Sequence, residues 1–429
     1  MYICRNFEIE IIMAYTKRIS DSELQRKLEA AGAVLIRGAK ACGKTESAKQ
    51  LAKSILKVDI DSQVPLLIES APNRLLMGNT PRLIDEWQEQ PQLWNHIRHE
   101  VDKRALPAQF ILTGSANPDE TAKKHSGAGR FTVLDMHTMS WQELGHSSGK
   151  ISLKTLLEGK KNDIYDEPTD LEFIVEKIII GGFPALMGKT VSQASDLNRA
   201  YIDLLAEVDM SRVSNIKRDP AKVRNLLRSL ARNTATTVET TLLETDIFEK
   251  DNVNISRPTI YDYLDALERL MIIENQPAWN THLRSSALLR KAPKRHLTDV
   301  SLAVAALGTD KKSLLNDLKF TGFLFESLVI HNLRVYAQEN DAKVFHYRDS
   351  TNLEIDAIVQ KYTGEYAAFE IKLGTGQIDD AAQNLMKFNS VLNTALTPPP
   401  KSLNIITGTG ISYTRKDGIN VISLSSLGG

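Results

Sequence analysis

The fold is decided by the stretch Gly38-Ala39-Lys40-Ala41-Cys42-Gly43-Lys44-Thr45, which has the spacing G-x-x-x-x-G-K-[ST]. The apolar residues 33–36 directly before it predict a strand, and the apolar periodicity after it, through Ala48 and Leu51, predicts a helix. A glycine loop between a strand and a helix can wrap main-chain amides around a phosphate group at the positive end of the helix. The sequence therefore predicts a phosphate-binding loop in an α/β domain; the alternative is a chance glycine turn.

Each part of this loop suits a nucleoside triphosphate. The Lys44 ammonium offers a charge to the β and γ phosphates, and the Thr45 hydroxyl is a ligand for Mg²⁺. We therefore expect ATP and Mg²⁺ as cofactors. The residues predicted to contact ATP are Gly38, Ala41, Cys42, Gly43, Lys44, Thr45 and Glu46.

Acidic and hydroxyl residues end two further predicted strands. Asp85 and Glu86 follow the apolar pair 83–84, and Thr113 follows the apolar residues 110–112. Beside such a loop, Asp85 can hold Mg²⁺ and Glu86 can act as the base that activates water. We assign Thr113 to the γ-phosphate or its attacking water, with Ser115 close behind. The alternatives are a solvated strand end and a simple Thr-Gly-Ser turn.

A basic loop over residues 123–130 follows. Its last residue, Arg130, is predicted to act as an arginine finger that stabilises the charge on the transferring phosphoryl oxygens. If a neighbouring subunit supplies Arg130, the chain must form a homo-oligomer. An ordinary solvated arginine is the alternative.

The pattern of the chain changes after this domain. Two amphipathic helices lie between 221 and 300, the second with Ser256 as a predicted N-cap, and the extended segments after them complete the outline of a winged helix. A long helix and alternating strands then predict a second α/β domain. The predicted boundaries are 1–21 for an N-terminal extension, 22–140 for the P-loop domain, 141–220 for lid or linker helices, 221–312 for the winged helix and 313–429 for the second α/β domain.

Charged residues gather on two strands of that last domain. Alternation places Asp356 on one face of its strand, and Glu370 and Lys372 on one face of the next strand. Asp356 and Glu370 are the predicted metal ligands, with Glu326 from the preceding helix, and Lys372 is predicted to orient a water or stabilise a pentavalent phosphate. This is the chemistry of metal-dependent phosphodiester hydrolysis. The alternative is a set of charges in solvent on amphipathic strands.

Basic residues favour DNA as a partner. Arg224, Arg228 and Arg232 recur every four residues on one helix, and an acid-free segment carries five more. These five are Arg284, Arg290, Lys291, Lys294 and Arg295. Such residues predict contact with the DNA backbone at low sequence specificity. Acidic residues on the predicted recognition helix, such as Asp262, would be repelled by the major groove of DNA, which argues against sequence-specific contacts with bases. The alternative is that this region is a spacer that docks proteins.

Composition excludes several classes of protein. The chain has 429 residues, and its 53 Lys+Arg balance its 53 Asp+Glu, which is atypical of a disordered chain or a globally basic nucleic-acid coat. Cys4 and Cys42 form no Cys-x-x-Cys or Cys/His cluster, so neither a disulfide framework nor a zinc module is expected. No apolar run approaches the roughly 18 residues of a membrane helix. We expect a cytoplasmic protein of several domains without membrane contact.

In combination, these motifs resemble a known family. The loop at 38–45 and the segments 83–86, 111–115 and 127–130 resemble those of the AAA-family ATP-binding proteins of bacteria and archaea that carry a C-terminal "domain of unknown function 4143". Further similar segments are Gly182-Phe183-Pro184, 229–233, 255–270, 323–326 and 354–372. The resemblance implies an α/β fold with an AAA-like P-loop NTPase parallel sheet, a winged-helix middle and a C-terminal domain similar to the PD-(D/E)xK nucleases.

Two functions agree with these predictions. The first is a Mg²⁺-dependent ATPase that couples ATP hydrolysis to a nuclease-like C-terminal domain acting on DNA. The alternative is an ATP-dependent switch or scaffold that binds protein partners and has a catalytically inert nuclease-like domain.

Overall fold

The structure, a computed structural model, describes residues 15–114, 127–160, 163–165, 167, 169–213, 216–280, 292–392 and 397–429. Within these residues the chain forms an α/β domain with a parallel sheet, a mainly helical middle region and a C-terminal domain with a mixed sheet. None of the helices in the described part of the chain is long and apolar enough to cross a membrane.

A five-stranded parallel sheet in the order β2-β3-β4-β1-β5 forms the first domain. Its strands are β1 Ala33–Arg37, β2 Ser54–Lys57, β3 Arg82–Asp85, β4 Phe110–Thr113 and β5 Phe131–Asp135. Its helices are α1 Ser20–Ala30, α2 Lys44–Leu51, α3 Val64–Ser70, α4 Pro72–Leu75 and α5 Leu93–Arg104.

Helices cover both faces of this sheet. Ala33 and Leu35 of β1 pack in the core formed with α3 and α5, while Val34 and Ile36 pack in the opposite core formed with α1 and α2. A strand that is buried on both faces is apolar along its whole length, which is why 33–36 contains no polar residue. The predicted α/β domain with a parallel sheet is confirmed.

Within the described residues, helices dominate the middle region, together with three short strands. Its elements are β6 Ile151–Ser152, α6 Leu153–Leu157, α7 Leu171–Ile180, α8 Val191–Leu204, α9 Met210–Arg212, α10 Pro220–Arg232, α11 Thr240–Asp251, α12 Arg257–Arg269, β7 Ile273–Gln276, β8 Lys294–Leu297, α13 Val300–Leu307 and α14 Lys311–Asn316. A π-helical turn, Leu205–Asp209, continues α8. The order α10, α11, α12 and the antiparallel pair β7–β8 is the order on which the winged-helix prediction depends. Ser256 caps α12 as predicted, since its hydroxyl accepts from the Thr259 amide.

The C-terminal domain has a six-stranded mixed sheet in the order β13-β14-β12-β11-β10-β9. Its elements are α15 Leu318–Glu339, β9 Ala342–Arg348, β10 Glu354–Lys361, β11 Tyr366–Lys372, α16 Ile378–Val391, β12 Leu403–Thr407, β13 Tyr413–Thr414, β14 Asn420–Ser423 and β15 Leu427–Gly428. The helices α15 and α16 contribute to different cores on this sheet. Because β15 pairs with β6, residues 151–152 are attached to the C-terminal domain.

The β7–β8 hairpin docks on this domain. Gln276 of β7 donates to the carbonyl oxygens of Phe345, at 3.0 Å, and Asp356, at 2.9 Å. His296 of β8 bonds to Ser327 on α15. The hairpin therefore carries side chains of the middle region into the C-terminal domain.

Candidate functional site

The glycine loop 38–43 lies between β1 and α2, at the carboxyl edge of the parallel sheet. Ala41 and Gly43 have left-handed backbones, with φ of 63° and 106°. A Cβ at Gly38 would clash with the Met136 carbonyl oxygen, which explains the requirement for glycine there. The Lys44 ammonium is buried and donates to the carbonyl oxygens of Gly38, at 3.0 Å, and Ala39, at 2.9 Å. The Lys44 side chain therefore folds back onto the main chain of the glycine loop.

Asp85 connects the loop to the neighbouring strand. Register places Asp85 opposite Thr113, because β3 and β4 pair in parallel. Asp85 Oδ1 accepts from the hydroxyl of Thr45 at 2.8 Å and from that of Thr113 at 2.6 Å. The structure thus brings together these three predicted residues, and hydroxyl and carboxylate oxygens are the ligands that Mg²⁺ prefers. This part of the site fits the metal.

Glu86 follows at a strained position. Its φ is 52°, in the left-handed region, and this turns the chain from β3 into the short helical turn Trp87–Glu89. Its carboxylate accepts from the Gln88 amide. The Gln88 side chain also lies beside Gly114, which follows β4. A Cβ added at Gly114 would clash with this side chain. Sequence reasoning missed Gln88, although it lies only two residues after the predicted base.

Two other predicted residues do not face the phosphate-binding site: Arg130 lies away from the loop, and the Glu46 side chain faces solvent. Arg130 precedes β5 at the amino edge of the sheet, where its carbonyl oxygen accepts from the Ala33 amide. A strand of five residues, about 16 Å, separates that edge from the loop. The Arg130 guanidinium instead pairs with Asp102 at 2.8 Å. Glu46 is exposed, and its carboxylate pairs with Lys49 at 2.6 Å. Ser115 and residues 123–126 of the basic loop lie outside the described residues.

The loop is supported by residues that the sequence did not indicate. The Arg18 guanidinium is buried and donates to the carbonyl oxygens of Cys42 and His137, each at 2.9 Å, and it pairs with Glu143 at 3.0 Å. Tyr15 bonds to Ser47 on α2 at 2.7 Å. Residues 15–21, predicted as part of an N-terminal extension, therefore pack against the loop. No local pattern could have revealed this, because the partners are distant in sequence.

The middle region also contacts the loop. Tyr201 on α8 donates to the Lys40 carbonyl oxygen at 3.3 Å, and the Lys40 ammonium lies 3.3 Å from Asp209 Oδ1. Pro184, in the Gly-Phe-Pro turn after α7, lies beside Gly43. The predicted lid residues 141–220 thus include a segment that touches the phosphate loop.

A second cluster of charges lies in the C-terminal domain. The Lys372 ammonium lies 2.7 Å from Glu370 Oε2 and 3.5 Å from Asp356 Oδ2. Asp356 Oδ2 also accepts from the Ile371 amide at 2.8 Å. Glu326 faces this group from α15. The structure therefore brings together the four residues that strand alternation and helix placement predicted.

Lys294 enters the same cluster from β8. Its ammonium lies 2.7 Å from Glu326 Oε1, 2.6 Å from Glu354 Oε1 and 3.6 Å from Asp356 Oδ1, and its side chain is 3% exposed. The sequence placed Lys294 in a basic surface that tracks DNA; this is wrong, because the side chain is buried among carboxylates.

Burial and crowding shift the protonation of this cluster. Burial, followed by the nearby Asp356 charge, raises the pKa of Glu326 to about 8 and that of Glu370 to about 7. Burial opposes ionisation of Asp356 as well, but the Lys372 and Lys294 ammonium groups hold its pKa below the ordinary value. Asp356 is therefore ionised near neutral pH, whereas Glu326 is largely protonated.

This cluster does not fit a divalent metal as it stands. Lys294 lies among three of the carboxylates, and both oxygens of Glu370 are already bonded, one to Lys372 and one to Asn384 at 2.8 Å. Among the described residues, no group of three or more His, Cys, Asp or Glu side chains is arranged to hold a metal ion. The charge balance is supplied by ammonium groups instead.

The remaining basic residues are also largely balanced by acids. Arg224 pairs with Asp203 at 2.9 Å and with Glu207, and Arg232 pairs with Asp246 and Asp251. The Arg295 guanidinium donates to the Val238 carbonyl oxygen. Arg284, Arg290 and Lys291 lie outside the described residues. In the part of the chain that the structure describes, Arg224 and Arg232 of the predicted arginine stripe are therefore engaged with acids, whereas Arg228 is exposed and donates to the Asn225 side chain.

Known proteins match the chain in three segments. Residues 30–145 match the family described as an AAA domain, 171–313 match a domain of unknown function (DUF8612), and 321–427 match a domain of unknown function (DUF4143). Uncharacterized proteins of Mycobacterium tuberculosis and Mycobacterium bovis are each 23% identical over 364 residues, which is 84% of this chain and 74% of theirs.

Among solved structures, a Walker-type ATPase of Pyrococcus abyssi is similar with a TM-score of 0.40 and 13% identity, over 68% of this chain and 96% of that one. The family matches confirm the predicted combination: the chain carries a P-loop AAA domain on its amino-terminal side and a DUF4143 domain on its carboxyl-terminal side. The winged-helix and nuclease-like descriptions stay predictions.

Proposed function

We propose that this AAA protein is a Mg²⁺-dependent ATPase whose nucleotide state acts as a switch on the middle region. One observation carries the proposal: the Asp85 carboxylate accepts from both the loop hydroxyl of Thr45 and the Thr113 hydroxyl of the next strand. An acid held in this position can accept a metal ion from the loop side when Mg²⁺-ATP is bound. A strand end without function would not require hydroxyl groups from two separate elements.

The residues of the chain divide the work. The main-chain amides from Ala41 to Glu46 bind the phosphates, and Lys44 leaves the loop carbonyls to pair with the β and γ phosphates. Thr45 and Asp85 would hold Mg²⁺, which would supply positive charge against the charge that develops on the phosphate. Glu86 accepts a proton from the attacking water, and Thr113 orients that water or the γ-phosphate.

Contact between the loop and the middle region supports the switch. Lys40 is held from two sides, by Tyr201 on its carbonyl oxygen and by Asp209 on its ammonium. A loop that tightens around phosphates must change these contacts, so helix α8 and its π-helical end are placed to respond. The Gly-Phe-Pro turn at Pro184 lies against the same loop.

Arg130 enters the proposal as a residue supplied by a neighbouring subunit. Its position at the amino edge of the sheet rules out a role in its own phosphate loop, whereas an exposed pair with Asp102 leaves it at a surface that another copy can approach.

We expect Arg130→Ala and Lys44→Ala proteins each to be inactive. Mixed in equal amounts, they should regain activity, since about a quarter of the interfaces then combine an intact loop with an intact arginine. Lack of recovery with confirmed subunit exchange would refute the role in trans.

Action on DNA is the second candidate function. Its support is the meeting of Asp356, Glu370 and Lys372 on adjacent strands, which is the side-chain set expected for phosphodiester hydrolysis. The switch is preferred because Lys294 lies in that cluster and because two of the three stripe arginines, Arg224 and Arg232, are engaged with acids.

The deciding experiment measures phosphate release from ATP, with and without Mg²⁺, in the presence of forked, single-stranded and duplex DNA. We expect Mg²⁺-dependent turnover in the wild type and a loss of roughly 10²-fold in Asp85→Asn. Asp356→Asn should leave basal ATP turnover unchanged, and it should abolish DNA cleavage if any occurs. A folded wild-type protein that does not hydrolyse ATP would refute the first function; DNA cleavage sensitive to Asp356→Asn would favour the second.

A further inference from the structure

The carboxylate cluster of the C-terminal domain contains a cation that belongs to another part of the chain. Lys294 lies on β8, within the segment 171–313 that matches DUF8612, whereas Glu354 and Asp356 lie in the segment 321–427 that matches DUF4143. The contact therefore crosses from one family domain into the next.

The placement of Lys294 is enforced by its surroundings. Gln276 stands opposite Lys294 in the β7–β8 pair and is bonded to the main chain of β9 and β10. Two residues further along β8, His296 bonds to Ser327 on α15 and to Gln276. All three side chains are buried, so the hairpin presents one continuous polar face to the C-terminal domain. Lys294 is the charged member of that face.

The ammonium occupies the position between the carboxylates where a metal ion would have to bind. Its nitrogen is 2.6 Å to 3.6 Å from oxygens of Glu354, Glu326 and Asp356. A divalent ion needs several of the same oxygens at about 2.0–2.6 Å, and it cannot share them with an ammonium at that distance because the like charges repel. A buried lysine with such partners is also costly to remove, since each carboxylate would be left without its counter-charge.

We propose that Lys294 is the resident cation of this cluster and that its docking excludes divalent metal ions from the C-terminal site. The β7–β8 hairpin then controls the site: with the hairpin docked, the carboxylates bind the middle region, and only its withdrawal makes their oxygens available to a metal. The inference concerns no residue of the phosphate loop and stands whether or not the chain hydrolyses ATP.

The test is Mn²⁺ binding by the full chain without nucleotide, measured by titration calorimetry and by the paramagnetic resonance of free Mn²⁺. Every protein carries Asp85→Asn, so the phosphate loop contributes no metal site. We expect no site in the otherwise unchanged protein and one Mn²⁺ per chain in Lys294→Met, at least about tenfold tighter than any residual binding. Adding Asp356→Asn to Lys294→Met should abolish that site.

Lys372→Met is the matched control. It removes an equal charge from the same cluster but leaves Lys294 in place, so we expect no Mn²⁺ site. Equal gain in both methionine variants would mean that charge alone matters and would overturn the proposal. A site of equal affinity in the parent protein, sensitive to Asp356→Asn, would overturn it as well, and so would the absence of binding in Lys294→Met.

Folding is checked by circular dichroism, because removing a buried ammonium can destabilise the chain. Should Lys294→Met fail to fold, Lys294→Met combined with Glu326→Gln decides the question. That double variant removes one positive and one negative group together and keeps Glu354, Asp356 and Glu370. We expect it to bind one Mn²⁺, and a folded double variant without binding would refute the proposal.

Discussion

Asp85 and Asp356 are two aspartates in strands of α/β domains, and they are almost equally buried, at 8% and 9% exposure. Their partners differ in kind. Asp85 accepts from the hydroxyl groups of Thr45 and Thr113, which are neutral, whereas Asp356 faces the ammonium groups of Lys294 and Lys372. Neutral donors orient a carboxylate without cancelling its charge, so Asp85 can attract an external cation. The two ammonium groups neutralise the Asp356 carboxylate, so Asp356 stabilises the fold. It can bind an external cation only if these lysines move away.

The largest effect should come from the lysine of the phosphate loop. We expect Lys44→Ala to lower ATP turnover by at least about 10³-fold, because the ammonium is the loop's charge for the β and γ phosphates. Phosphate release and nucleotide calorimetry measure the loss. Lys40→Ala is the matched control: it removes the same group from an exposed position in the same loop, and turnover should change only a few-fold. If Lys44→Ala retained ATP turnover, the proposed difference between the phosphate loop and the C-terminal charge cluster would be contradicted.

Glu86 should separate binding from hydrolysis. Glu86→Gln removes the proposed base but keeps an oxygen and a similar volume, so we expect kcat to fall by about 10²–10³-fold while ATP still binds. Single-turnover hydrolysis and calorimetry together distinguish the two steps. Glu89→Gln, three residues later, is the control and should behave like the wild type. Equal losses of binding and turnover in Glu86→Gln would assign Glu86 to the fold rather than to the chemistry.

Sequence patterns predicted the features that depend on short-range geometry. The glycine loop, the sheet and the meeting of Asp85 with Thr113 follow from parallel strands whose carboxyl ends share one edge. The grouping of Asp356, Glu370 and Lys372 follows from alternation along neighbouring strands.

The rest depended on contacts between distant segments. Lys294 lies 32 residues from Glu326 in sequence, and a run of basic residues gives no sign of which member turns inward. Arg18 contacts Cys42 from a segment that was interpreted as an extension. Arg130 is different, because the sequence already contained the signal: it precedes its strand, while the loop follows β1, and parallel strands separate those two ends.

The pH dependence of stability should test the protonation of the C-terminal charge cluster. The folded-state pKa values of Glu326 and Glu370, about 8 and about 7, lie above the ordinary 4.5 of an unfolded glutamate. A carboxyl group with a raised folded pKa stabilises the fold fully below pH 4.5, and this contribution is lost as the pH rises through the folded value. We therefore expect the melting temperature to fall by on the order of 5 °C between pH 5 and pH 8.5.

Glu326→Gln should flatten this fall, since the amide cannot ionise. Melting curves by circular dichroism across that pH range give the slope. Glu249→Gln, on the exposed side of α11, controls for the substitution itself. A melting temperature that rises between pH 5 and pH 8.5, or a slope unaffected by Glu326→Gln, would contradict the raised pKa values.

The smallest effect is expected where the phosphate loop acts through its main chain alone. Cys42 is fully buried, with its sulfur 3.5 Å from the Met136 carbonyl oxygen, so its side chain packs beneath the loop and only its main-chain amide is proposed to bind phosphate. Cys42→Ala should therefore keep ATP turnover within about twofold of the wild type, at a modest loss of stability from the shortened side chain. Gly38→Ala makes the contrasting change at the start of the same loop, where a Cβ would collide with the same carbonyl oxygen, and should abolish nucleotide binding. Steady-state phosphate release compares the two. A large loss in Cys42→Ala with normal folding would mean that the loop uses the Cys42 side chain in addition to those of Lys44 and Thr45, and the assignment of Cys42 to main-chain binding would fail.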